Sequence, residues 1–142
     1  MKRITTILVL FVFAYSALAD SSYKDSSATR FSHLSVEHGL SHHEVLFVMQ
    51  DSQGFMWFGT KHGLNKYDGN KITSFIHDLE KPSSISGNFA HWIHEDQEGS
   101  LWISTWGDGV SRYDPKTGNF TNYRHEENNP QSLGSNNVWS LF

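Results

Sequence analysis

Apolar and polar residues alternate in short bursts along most of this chain, and clusters of turn-forming residues separate the bursts. Val45 to Gln50 is an apolar run rich in β formers, Phe55 to Phe58 is aromatic, and Leu64 to Tyr67 and Ile72 to Ile76 are short and mixed. No window keeps its apolar residues at helical spacing, so the pattern predicts four strands joined by turns. Asp51-Ser52-Gln53-Gly54 offers a carboxylate to cap turn amides and a glycine able to take positive φ. Asp68-Gly69 predicts a type I′ hairpin, and Asp114-Pro115-Lys116-Thr117-Gly118-Asn119 predicts a longer loop at the corresponding place.

That place exists because the pattern repeats. Asp51, Gly54, Trp57 and Thr60 recur as Asp96, Gly99, Trp102 and Thr105, each displaced by 45 positions. Gly63 to Asp68, with Tyr67 inside it, recurs as Gly109 to Asp114 with Tyr113, now displaced by 46. Upstream of the first strand, Gly39-Leu40-Ser41-His42-His43 parallels Ser84-Ile85-Ser86-Gly87-Asn88 and again Ser132-Leu133-Gly134-Ser135-Asn136. Three repeat starts are visible and two repeats are complete. Four antiparallel strands in about 45 residues is the size of one β-propeller blade, so the fold class expected is all-β. Trp57, Trp102, Tyr67 and Tyr113, recurring at the blade period, are expected to fill the wedge between blades, because one blade cannot bury both faces of its sheet alone.

The N-terminus reads differently. Lys2 and Arg3 precede an apolar run from Ile4 to Tyr15, and Ala17-Leu18-Ala19 has the small-x-small spacing that a signal peptidase reads. The run is too short to span a bilayer comfortably, so residues 1–19 are expected to be a leader cleaved after Ala19, with export of the mature chain from Asp20 onward. The remaining boundaries expected are a linker at 20–29, an outer strand without a blade of its own at 30–36, blades at 37–80 and 81–127, and the start of a third blade at 128–142. The orphan strand rests on Phe31-Ser32-His33-Leu34, whose spacing matches Ile72-Thr73-Ser74-Phe75 and Phe120-Thr121-Asn122-Tyr123.

Composition removes several alternatives. There is no cysteine among the 142 residues, which excludes disulfides, thiolate metal sites and a thiol nucleophile. A formal charge of -4 with scattered Lys and Arg argues against nucleic acid, whose binders need clustered cations.

The ordered run Gln50-Asp51-x-x-Gly54-Phe55-x-Trp57-Phe58-Gly59-Thr60-x-x-Gly63-Leu64-Asn65-x-Tyr67-Asp68-Gly69, followed by Ser84-x-Ser86-x-Asn88 and Glu95-Asp96-x-x-Gly99-x-Leu101-Trp102-Ile103-x-Thr105, resembles the two-component regulator propeller repeat. The resemblance covers roughly 30 to 142. Ser104 and Val110 depart from it, standing where the repeat usually has Gly and Leu. It implies an extracytoplasmic sensor propeller, often for oligosaccharides or their breakdown products, in a membrane-anchored receptor with further blades, a kinase or cyclase output domain and a homodimeric assembly. Residues 20–142 supply too few blades for a ring of four or more, so the chain is expected to be an N-terminal piece of such a sensor, with no cofactor and no metal.

Candidate chemistry is sparse. His91 and His94, three apart on a strand, point to opposite faces and are read as core or rim residues. His42-His43 reads as a solvated loop. Asp51 and Asp96 recur inside turns and are not read as an acid/base pair. No catalytic residue is assigned, and no Gly-x-Ser-x-Gly, phosphate-loop or His-Glu-x-x-His pattern occurs. If a ligand binds, the loops between second and third strands are the place expected. These carry Lys61 and His62 in one repeat and Trp106 and Asp108 in the other. Two further readings of the sequence stay open. Trp102-Ile103-Ser104-Thr105 and Tyr113-Asp114-Pro115-Lys116-Thr117-Gly118 also have the flavour of a streptogramin-lyase-like propeller enzyme, and composition alone does not exclude a passive protein-interaction propeller.

Overall fold

The computed structural model describes residues 32–142, so the expected leader, the linker and the first two residues of the orphan strand lie outside the described residues. The architecture is that of the unit His33–Phe142. Two four-stranded antiparallel sheets succeed one another along the chain. The first contains β1 (Val45–Gln50), β2 (Met56–Thr60), β3 (Gly63–Tyr67) and β4 (Ile72–Phe75). The second contains β5 (Ala90–Glu95), β6 (Leu101–Thr105), β7 (Gly109–Asp114) and β8 (Asn119–Tyr123). Within each sheet spatial order equals chain order. This is the up-and-down meander of a propeller blade.

The registers repeat as well. Val45 faces Thr60 and Phe47 faces Gly59, leaving Leu46 as an extra residue; Ala90 faces Thr105 and Trp92 faces Ser104, leaving His91 in the same role. Each first strand therefore carries a bulge one residue after its start, which re-aims the extra side chain.

The turn after each first strand is set by one carboxylate. Asp51 Oδ1 accepts from the amides of Gln53 and Phe55 at 3.0 and 2.8 Å, and Asp96 Oδ1 accepts from Glu98 and Ser100 at 3.0 and 2.9 Å. Gly54 and Gly99 close these turns at φ 90° and 80°, where a side chain would be strained. At Asp68-Gly69 the structure corrects the expected hairpin. The Asp68 amide bonds the Lys71 carbonyl at 3.2 Å, which puts Gly69 and Asn70 at the centre, and of these two only Gly69 has positive φ. A type I′ turn needs positive φ at both central residues. Asp68 instead accepts the Asn70 and Lys71 amides on its side chain at 2.9 and 2.8 Å.

The two blades bury a shared core. Trp57 is 1% exposed, and its ring lies 5.3 Å from Tyr113 of the next blade and 5.9 Å from Phe75 of its own. Ala90, Ile93 and Phe120 complete the second blade's side of the junction. Gly59 packs directly on the backbone of Ala90, where a Cβ would lie 2.6 Å from the carbonyl oxygen.

The connector between blades also repeats, bond for bond. Asn88 Oδ1 accepts from the His77 amide and Asn136 Oδ1 from the His125 amide, both at 2.7 Å. His77 Nδ1 lies 2.7 Å from the Ile85 carbonyl, and His125 Nδ1 lies 2.7 Å from that of Leu133. The Asn88 and Asn136 carbonyls then accept from Gly63 and Gly109, at the start of the previous blade's third strand, at 2.5 and 3.1 Å. The connector to a third repeat is thus fully formed through Asn136. Residues 138–142, within the expected start of a third blade, are not in a strand. A first strand pairs with the second strand of its own blade, so it has no ladder partner here. Residues 32–35 are likewise in no strand, and Val36–His38 is a single 3-10 turn.

Candidate functional site

One end of the two-blade unit gathers the connectors and the loops between second and third strands. Lys61 N bonds Glu44 O at 3.3 Å and Trp106 N bonds Phe89 O at 3.0 Å, so each such loop sits against the segment leading into its own blade. Beneath these loops lies the same buried polar scaffold in both repeats. Thr60 Oγ1 meets Ser41 Oγ at 3.0 Å and donates to Gly63 O; Thr105 Oγ1 meets Ser86 Oγ at 2.8 Å and donates to Gly109 O. Asn65 on β3 bonds Ser74 on β4 at 2.7 Å, whereas Ser111 on β7 bonds Asn122 on β8 at 2.8 Å. The large and small partners have exchanged strands, so the bond and the combined volume persist.

On this common base the four candidate ligand residues go separate ways. Lys61 pairs with Glu44, and the ammonium holds that carboxyl below its ordinary range. His62 is exposed, with its amide on Thr60 Oγ1 at 3.1 Å. Asp108 is committed to the framework: its carboxylate occupies the space a Cβ on Gly87 would need, and it lies 3.9 Å from Arg124, which also donates to Ser86 O at 2.6 Å. Trp106 is 43% exposed and joins an aromatic group with Phe89, His91 and Trp139. Among the described residues, none of the four shares a hydrogen bond or ion pair with another of the four.

The recurring residues occupy matched places. Trp57 Nε1 and Trp102 Nε1 donate to Asp51 and Asp96, and Tyr67 and Tyr113 stand opposite Met56 and Leu101 on their neighbouring strands. Trp102 stacks on Tyr123 at 5.5 Å, as Trp57 does on Phe75, but it is only partly buried. The same bond from Trp102 is the main cause of the lowered Asp96 pKa.

His42 and His43 stack at 4.3 Å, and with Glu44 their ligand-type atoms lie within 4.8 Å of one another. Glu44 is also engaged by Lys61. Sequence reasoning did not connect His91 and Trp139 to Trp106. The signal was the bulge, whose extra residue is invisible to a period-two reading of the strand.

The architecture is that of propeller blades, and similarity to known proteins agrees. Residues 39–62 and 84–107 each match the family described as Two component regulator propeller. The chain carries repeats of that family. It is 37% identical over 78 residues to Histidine kinase P4 of Formosa agariphila, a match covering 55% of this chain and 6% of that protein. It superposes with a TM-score of 0.69 and 36% identity on the extracellular domain assigned to a hybrid two component system, BT3049, of B. thetaiotaomicron, covering 75% of this chain and 15% of that one. The chain thus spans a small part of each of these two relatives.

Proposed function

We propose that this chain is the ligand-receiving, extracytoplasmic portion of a two-component sensor, taking a carbohydrate-type ligand and binding it without turnover. The observation that carries the reading is the contrast within the loop end. Two repeats agree in strand register, connector bonds and buried scaffold, yet differ at the exposed positions, Lys61 and His62 against Trp106 and Gly107. A scaffold held constant beneath variable loops is what recognition requires. Similarity to a histidine kinase and to an extracellular domain of a two component system supports the signalling context.

On this reading the leader 1–19 is removed on export, and further blades complete a ring within a homodimeric, membrane-anchored receptor. Residues 30–36 supply the outer strand of the last blade, since joining the two chain ends removes an open edge. Deleting 30–36 from the full-length protein is then expected to lower amide protection in the last blade more than in the first. Equal protection in both would refute that closure.

The functional reading is tested by thermal shift of the full-length protein with soluble neutral oligosaccharides, followed by chromatography of the recovered sugar. A saturable rise in melting temperature with intact sugar is expected. No shift with any sugar, or cleaved product, would overturn it.

A further inference from the structure

We propose that Trp106 and Trp139, backed by His91, form a stacking platform for one ring of a saccharide at the mouth of the propeller channel. The platform rests on the ligand reading of the loop end and names the residues that would carry it. The two indoles touch edge-to-face, with centroids 4.5 Å apart and planes at 85°, and His91 stands perpendicular to both at 5.9 and 6.2 Å. Trp106 is 43% exposed.

The repeat acts as its own control for why these rings are there. Trp106 follows Thr105 as Lys61 follows Thr60, and Lys61 is also exposed; the same backbone therefore needs no indole at that position. Trp139 corresponds to Leu46 and His91, the extra residues of the two bulges. His91 lies beside Trp106 of its own repeat and Trp139 of the next, and it is half-buried. The inner strands β1 and β5 pack directly against each other, so bulge residues of successive repeats line one mouth.

The arrangement selects a ligand chemistry. Edge-to-face contact leaves no gap between the indoles for a cation to enter, as an aromatic cage would need. What remains is an exposed indole face in water, with the imidazole of His91 beside it. Such a surface suits a molecule with an apolar C–H face and a hydroxylated rim. Ser104 Oγ lies 3.5 Å from His91 Nε2, while His91 Nδ1 is buried with no protein partner. Among the described residues, one ring nitrogen of His91 is thus left without a hydrogen bond.

The test is a titration of the full-length protein with a panel of neutral hexasaccharides of cellulose, xylan, mannan, laminarin and starch type, read by intrinsic fluorescence and calorimetry. Trp106→Ala and Trp139→Ala are each expected to weaken the best binder about tenfold, as loss of one aromatic contact does. Trp106→Phe, which keeps a ring face, should recover part of the loss. Melting curves establish that each variant is folded. Binding unchanged in both alanine variants overturns the platform while leaving the sensor reading standing. Absence of binding by any sugar to the unaltered protein contradicts both.

Discussion

Trp57 Nε1 donates to Asp51 Oδ2 across 2.8 Å, and one repeat later Trp102 makes the same bond to Asp96 at the same distance. The other oxygen of each carboxylate holds two turn amides. One side chain thereby fixes both the turn and the orientation of the indole that enters the junction. Because the ring's only polar atom is satisfied at the sheet's end, the rest of it is buried without penalty.

Asp51→Ala should therefore destabilise beyond the loss of a surface turn. It leaves the Trp57 N–H and two turn amides unpaired, at a cost of about 1–3 kcal/mol. Asp51→Asn keeps an acceptor and should cost less. Urea denaturation of the full-length variants measures the difference.

Trp57→Ala should be among the most damaging single changes, about 3–5 kcal/mol, the range for truncating a buried aromatic. In the full-length protein Trp102→Ala is expected to cost as much, since a following blade would cover Trp102 as Tyr113 covers Trp57. Thermal melting checks this. A Trp102→Ala protein that melts normally but no longer binds ligand would reassign Trp102 to recognition.

Acid should weaken the turns. The bond from Trp102 and the amides of Ser100 and Glu98 hold the Asp96 pKa below 3.8, and Lys71 and Asn70 amides act likewise on Asp68. A depressed carboxyl pKa contributes stability above the unfolded value and loses it as pH falls through the folded one. Stability from these groups is expected to be constant near neutrality and to decline below pH 3.8. Carbon-detected NMR titration of the Asp96 carboxyl checks the direction, and Trp102→Phe should raise its midpoint.

Gly59→Ala places a Cβ against the Ala90 carbonyl at 2.6 Å and is expected to cost about 1–3 kcal/mol, as overpacking does. Ser104 occupies the equivalent position in the second blade, so Ser104→Gly should show no comparable effect. Paired denaturant melts compare the two positions directly.

Which features were legible in the sequence depends on the range of each interaction. The first strand, Val45–Gln50, and the turn at Asp51 were readable because both are local: a β-forming run, then a carboxylate and a glycine at fixed spacing. The repeat made the blades readable by placing Trp57 and Trp102 in register. The Gly69-Asn70 turn was not, because Asp68 accepts amides on its side chain and shifts the loop centre by one residue. Nor was the fate of Asp108, which depends on Arg124 and Gly87, residues distant in the chain. The aromatic group at Trp106 depended on a bulge and on the next repeat, neither of which strand periodicity encodes.

The central claim is that ligand is received at the loop end built on constant blades. Hydrogen exchange of the full-length protein, with and without a binding saccharide, tests it most directly. Added protection is expected in the peptides that contain residues 61–63, 106–109 and 136–139, with the turns at 51–54 and 96–99 unchanged. Protection confined to those turns, or spread uniformly over both ends, would contradict the account.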